Sequence, residues 1–84
     1  MAIKMNLFPL TITALDSVRY FGEAESLTCP GIEGEVTILK GHVPLITNMK
    51  SGKITVKKSG EEPLIFQAEK GILEVSKKGV TVLL

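Results

Sequence analysis

Eighty-four residues can organise one small core, so the chain reads as a single domain over residues 1–84. An apolar share of 44% argues against disorder, and a net charge of +1 argues against generic binding to a polyanion. One cysteine, Cys29, excludes an internal disulfide, and every apolar run falls far short of the roughly 20 residues that span a bilayer.

The opening MAIKMNLFPL lacks the basic segment, sustained apolar stretch and cleavage site of a signal peptide, which points to a cytosolic protein. Phe8, Leu10, Ile12 and Ala14 then alternate with Pro9, Thr11 and Thr13, the period that lays one face of a strand on a core. Leu15-Asp16-Ser17 reads as a turn. Cys29 follows, before a proline and at the end of an apolar strand pattern.

The stretch from Pro30 to Ile54, PGIEGEVTILKGHVPLITNMKSGKI, is the most heavily punctuated part of the chain. Gly31, Gly34, Gly41 and Gly52 offer backbone shapes that side chains disfavour, and Pro30 and Pro44 suit strand ends or sheet edges. Gly31, Gly34, Gly41, Pro44 and Gly52 are therefore expected to hold turns and corners.

Alternation then resumes. Ile54 and Val56 oppose Thr55 and Lys57; Leu64, Phe66 and Ala68 oppose Ile65, Gln67 and Glu69; Val80, Val82 and Leu84 close the series. Ser59-Gly60 and Lys77 to Gly79 separate paired runs and read as hairpin turns. No segment carries a long helical stripe. Short strands with frequent turns imply an all-β sandwich or flattened barrel.

The residues that could carry chemistry are sparse. His42 is the only histidine, and the acids lack ligand spacing, so no metal site is expected. Cys29 reads as a small buried hydrophobe rather than the partner of His42 in a nucleophile–base pair. Glu23/Glu25 and Glu33/Glu35 stand two residues apart, about 6–7 Å on one strand face, comparable to paired glycosidase carboxylates. A sandwich this small has little room for the cleft such chemistry needs, so solvated charge is the better reading. Ser51-Gly52-Lys53 runs into Ile54 and a strand pattern, with no helix to cradle a phosphate. Three phenylalanines, one tyrosine and no tryptophan leave few platforms for stacking nucleic-acid bases. No catalytic, cofactor-binding or metal-binding residue is expected.

Surface is what remains. Residues 16–35 hold five acids against Arg19, while residues 36–58 hold five lysines and no acid. These runs are either ordinary solvated faces or a polar partner surface. In Leu45-Ile46-Thr47-Asn48-Met49, inward Leu45 and Met49 would leave Ile46 outside beside His42, Val43 and Pro44. That segment is either a corner covered on both sides or an apolar docking patch.

One ordered set of short motifs covers nearly the whole chain: Tyr20-Phe21-Gly22-Glu23, Pro30-Gly31, Gly34-Glu35, Gly41-His42-Val43-Pro44-Leu45, Ser51-Gly52-Lys53-Ile54, Gly71-Ile72-Leu73-Glu74-Val75 and Val80-Thr81-Val82-Leu83. In this the chain resembles the amino-terminal domain of the epsilon subunit of F-type ATP synthases. It departs at Glu69-Lys70, where that family usually has a further glycine before Gly71.

The resemblance implies a two-layer flattened β-sandwich/barrel of about ten short strands, some five to each sheet. It also implies a non-catalytic central-stalk (rotor) subunit that grips the gamma subunit and touches the polar loops of the c-ring. Such a subunit couples proton flow to ATP synthesis from the cytoplasmic face of the bacterial cell membrane, without entering the bilayer. By motif position, His42, Ile46, Thr47 and Val82 are the expected gamma contacts, and Glu35 is expected on the loop facing the ring. Longer members of the family continue into a two-helix domain tied to inhibition and nucleotide binding, so neither is expected of these residues. A stand-alone β-sandwich adaptor with an unrelated protein partner is the alternative.

Overall fold

Strict alternation of buried and exposed side chains organises this chain, and it does so in nine short strands. A computed structural model describes residues 6–84; the reading of MAIKMNLFPL as lacking a signal peptide falls in part on residues 1–5, outside the described residues. The strands are β1 (Phe8–Thr13), β2 (Val18–Ala24), β3 (Ser26–Gly31), β4 (Gly34–Ile38), β5 (Leu45–Met49), β6 (Gly52–Lys57), β7 (Leu64–Ala68), β8 (Gly71–Ser76) and β9 (Gly79–Leu83). The count is nine against the expected ten or so, and no helix occurs among the described residues.

Hydrogen bonding runs β2-β1-β9-β8-β5, turns a corner, and continues β3-β6-β7, with β4 on the free side of β3. The corner rests on one register pair, Gly31 opposite Met49. Two backbone bonds flank it: Lys50 N–H to the Pro30 carbonyl at 2.9 Å, and Ile32 N–H to the Asn48 carbonyl at 3.1 Å. Four strands thereby fold over five. The first strand pairs with the last in parallel, Leu10 opposite Val80 through Thr13 opposite Leu83, which ties the ends of the described chain together.

The inward faces meet in one core. Leu10, Ile12, Leu73 and Val82 from the five-stranded layer pack with Leu27, Cys29, Ile38 and Ile54 from the other, and none is more than 1% exposed. Each such aliphatic side chain contributes about 1.5–3 kcal/mol by leaving water. No polar or charged side chain is buried among the described residues, so the interior carries no desolvation cost of that kind. Burial also pushes the Cys29 thiol up to about 12, because a thiolate there would lose its hydration. It stays a neutral thiol at physiological pH, which makes it chemically inert.

The alternation read from the sequence has the right phase with one exception. Leu64 is the one departure: it shares parity with Phe66 and Ala68 yet is 47% exposed, because it lies at the open end of an edge strand. The acidic and basic runs meet at the end of β2. Glu25 N–H bonds the Lys57 carbonyl at 2.8 Å, which sets an acid-run residue beside the lysine run.

Two seams remain where the layers meet. Along one, Tyr20 of β2 and Phe66 of β7 pack edge to face with ring centroids 6.4 Å apart. Along the other, edge strands β4 and β5 flank a groove of about 530 Å³.

Candidate functional site

Ile46 decides which surface is available to a partner. On β5, Met49 is buried and Leu45 packs against the core, so alternation turns Ile46 outward, where it is 72% exposed. Val43 is 68% exposed just upstream, beside exposed Pro44. Of the two readings of this segment, the outward one holds. Ile46 is on the outside.

Strand register extends this surface. Ile46 stands opposite Glu74, Glu74 opposite Thr81, Thr81 opposite Thr11, and Thr11 opposite Phe21. The next row places Asn48 opposite Ile72 and Ile72 opposite Leu83. Phe21 is 83% exposed, Ile72 40% and Leu83 44%, so the outer face of the five-stranded layer is apolar at several points and threaded by Thr and Glu. The outer face of the other layer is richer in threonine: Thr28, Thr37 and Thr55 lie in one row that ends on Ile65, 60% exposed, and the Thr28 and Thr37 hydroxyls bond at 3.2 Å. Mixed apolar and polar composition is what a protein interface presents.

Thr47 faces the opposite way from Ile46, but β5 is an edge strand, so Thr47 is half-buried at the open seam rather than sealed. The groove there is lined by Glu35 from β4 together with Ile46 and Thr47. Three of the five candidate contacts therefore converge on one groove. Its walls begin at a two-residue turn, Ile32-Glu33, between β3 and β4. At Gly31 a side chain is barred: a β-carbon there would lie 2.6 Å from the Gly34 carbonyl oxygen and 2.9 Å from Val36. Glycine at this position is a packing requirement.

His42 lies apart, at the other end of β4, in the connection to β5. Its own N–H bonds the Leu39 carbonyl at 3.0 Å, and its Nδ1–H donates to the Val43 carbonyl at 2.8 Å. Gly41, with φ +86°, takes the left-handed shape that lets the chain turn there. Val82 is a correction. It is 0% exposed between Leu73 of β8 and Ile12 of β1, so its side chain is core and cannot touch a partner. Alternation places Val82 inside; motif position alone had put it outside. Its exposed neighbour on the outer face is Leu83.

The glutamate pairs form no aligned carboxylate site. Glu25 sits in the bend after β2, and Glu33 in the turn before β4, so neither pair shares one strand face. Cys29 lies inside the core, while His42 sits on the connecting loop. Among the outward apolar residues that sequence reasoning passed over are Phe21, Ile72 and Leu83. For Ile72 and Leu83 the signal was present, as apolar residues out of phase with Leu73 and Val75 and with Val80 and Val82; β2 offers no such pattern around Phe21.

The sequence model described as the ATP synthase delta/epsilon chain β-sandwich domain matches residues 7–84. The chain belongs to this family. It is 39% identical to an ATP synthase epsilon chain of Methylococcus capsulatus, over 99% of this chain and 57% of that one. It is 48% identical to the epsilon chain of Herminiimonas arsenicoxydans, over 86% of this chain and 52% of the relative. Against these two the chain spans about half the relative's length. The epsilon chain of Chlorobium limicola is 38% identical and is covered over 86% of its length. Among solved structures, a chain of the Euglena gracilis mitochondrial ATP synthase OSCP/F1/c-ring assembly superposes with a TM-score of 0.84 at 22% identity, covering 99% of this chain and 52% of that one. That likeness concerns the fold: the family's β-sandwich is the architecture built here by nine strands.

Proposed function

We propose that residues 1–84 act as one β-sandwich domain of a non-catalytic central-stalk subunit of an F-type ATP synthase. The domain binds the gamma subunit and touches the c-ring, so that torque from proton flow reaches the catalytic head. It works at the cytoplasmic face of the bacterial cell membrane, as a peripheral part of the complex. The observation that carries this reading is the family match over residues 7–84, joined to an outer face on which Ile46 stands free. The same match disfavours an adaptor with an unrelated partner.

A coupler must be stiff, and the packing favours stiffness. Among the described residues the two layers share an interior without buried polar side chains, and close-packed interiors deform little under load. Ile46, with Thr47 in the adjoining groove and His42 at the end of the same connection, forms the gamma contact. Glu35, exposed beside the β3–β4 turn, faces the ring. Mixing the purified chain with its cognate gamma subunit at micromolar concentration should yield one co-eluting complex on gel filtration. Separate elution of the two would remove the basis for this function.

A further inference from the structure

The core is thinnest at one end. Phe8, Val75 and Val80 are 5%, 4% and 5% exposed, whereas every other core residue is at 2% or less. These three form the floor of a hollow of about 430 Å³ at the end of the sandwich that carries His42. The hollow is mostly apolar inside, and its charged rim is of one sign. Lys40 borders it from the β4–β5 connection and Lys77 from the β8–β9 turn, and no carboxylate is among the lining residues. Glu25 lies in the adjoining hollow, which it lines together with Lys40.

Both lysines stand on turns that are held in place. The Ser76 hydroxyl donates to the Gly79 carbonyl at 3.2 Å and accepts the Lys78 N–H at 3.2 Å, which fixes the turn bearing Lys77. The His42 N–H to Leu39 carbonyl bond does the same for the turn bearing Lys40. With Nδ1 engaged by Val43, the His42 ring keeps Nε2 for an outside partner. An apolar floor flanked by two lysines selects for a bulky apolar side chain with carboxylates beside it.

We propose that this hollow docks an acidic segment of a protein partner, with one bulky apolar anchor seated on Phe8, Val75 and Val80. The inference rests on the reading of the chain as a gamma-binding subunit, and it assigns the gamma segment at this end an acidic, apolar chemistry. The hollow adjoins exposed Val43 and Pro44, so it continues the surface that Ile46 begins.

Two synthetic peptides test it: a Leu-Phe pair flanked by glutamates on both sides, and the same peptide with lysines in their place. Backbone-amide shifts in the whole chain report binding. The glutamate peptide should move Gly41, His42, Ser76, Lys77 and Gly79, and its affinity should fall severalfold between about 50 and about 300 mM salt. Lys40→Glu with Lys77→Glu, both at exposed positions, should weaken it about tenfold or more and confer binding of the lysine peptide. Equal binding of both peptides, or no shifts from the glutamate peptide, would overturn the proposal. The cognate gamma subunit separates the two readings. If gamma binds the double variant as tightly as the original chain, the acidic-segment inference fails and the gamma reading stands. If gamma does not bind but the glutamate peptide does, the gamma reading fails and the hollow keeps its assignment.

Discussion

Val82→Asp should leave the chain unfolded at 25 °C. Val82 has no exposed surface and lies between Leu73 and Ile12, which have none either. The substitution removes about 1.5–3 kcal/mol of apolar burial and adds an unpaired carboxyl with no buried polar group nearby, costing several kcal/mol more. A chain of this size has a total stability of roughly 4–13 kcal/mol, so the combined loss reaches the range of the whole. Far-UV circular dichroism and urea melts would read it directly. Val82→Ala should keep the fold at a cost of about 2 kcal/mol, and Leu83→Asp, at a partly exposed outer-face position, should cost less than about 1 kcal/mol. A folded Val82→Asp with near-normal stability would put Val82 back on the surface.

The second large effect is at the corner between the layers. Gly31→Ala should cost about 2–3 kcal/mol, because its β-carbon meets a backbone carbonyl that cannot rotate away, 2.6 Å off. Gly31 is also the residue through which β3 pairs with β5, so relaxing the clash means loosening the joint between layers. Gly60→Ala is the control. Gly60 has φ +81° but nothing within 4 Å of a β-carbon, so only backbone strain applies, about 1–2 kcal/mol. Urea melts of the two variants should therefore separate a steric cost from a conformational one. Equal losses would mean that the hairpin yields freely and that the corner is not the tight point.

Much of this fold was legible in the sequence, and the reasons are local. Side chains alternate with a period of two, so Leu10, Ile12, Ile54, Val56, Val80 and Val82 declare their own side of the sheet. Gly41 and Gly60 mark real left-handed turns. Strand β2 was harder to see, since its inward positions are Tyr20, Gly22 and Ala24 and present almost no aliphatic signal. Pairing across the molecule was not legible at all. Nothing local announces that β1 lies parallel to β9, or that β5 leaves β6, its neighbour in sequence, to pair with β8.

The surface divides in the same way. That Ile46 faces out was one of two readings open in the sequence, and the burial of Met49 with the core packing of Leu45 decides it. That Glu35 and Thr47 share a groove depended on β4 and β5 being edge strands of opposite layers, which only the fold reveals. Val82 shows the risk of using motif position without strand phase.

The most direct test of a gripping, non-catalytic body is the affinity of Ile46→Asp for the cognate gamma subunit, measured by calorimetry beside its own thermal unfolding. The substitution should weaken binding at least about tenfold, a change of about 1.4 kcal/mol, while moving Tm by no more than about 3 °C. Unchanged affinity, or a collapse of stability, would contradict the placement of the gamma contact on this outer face.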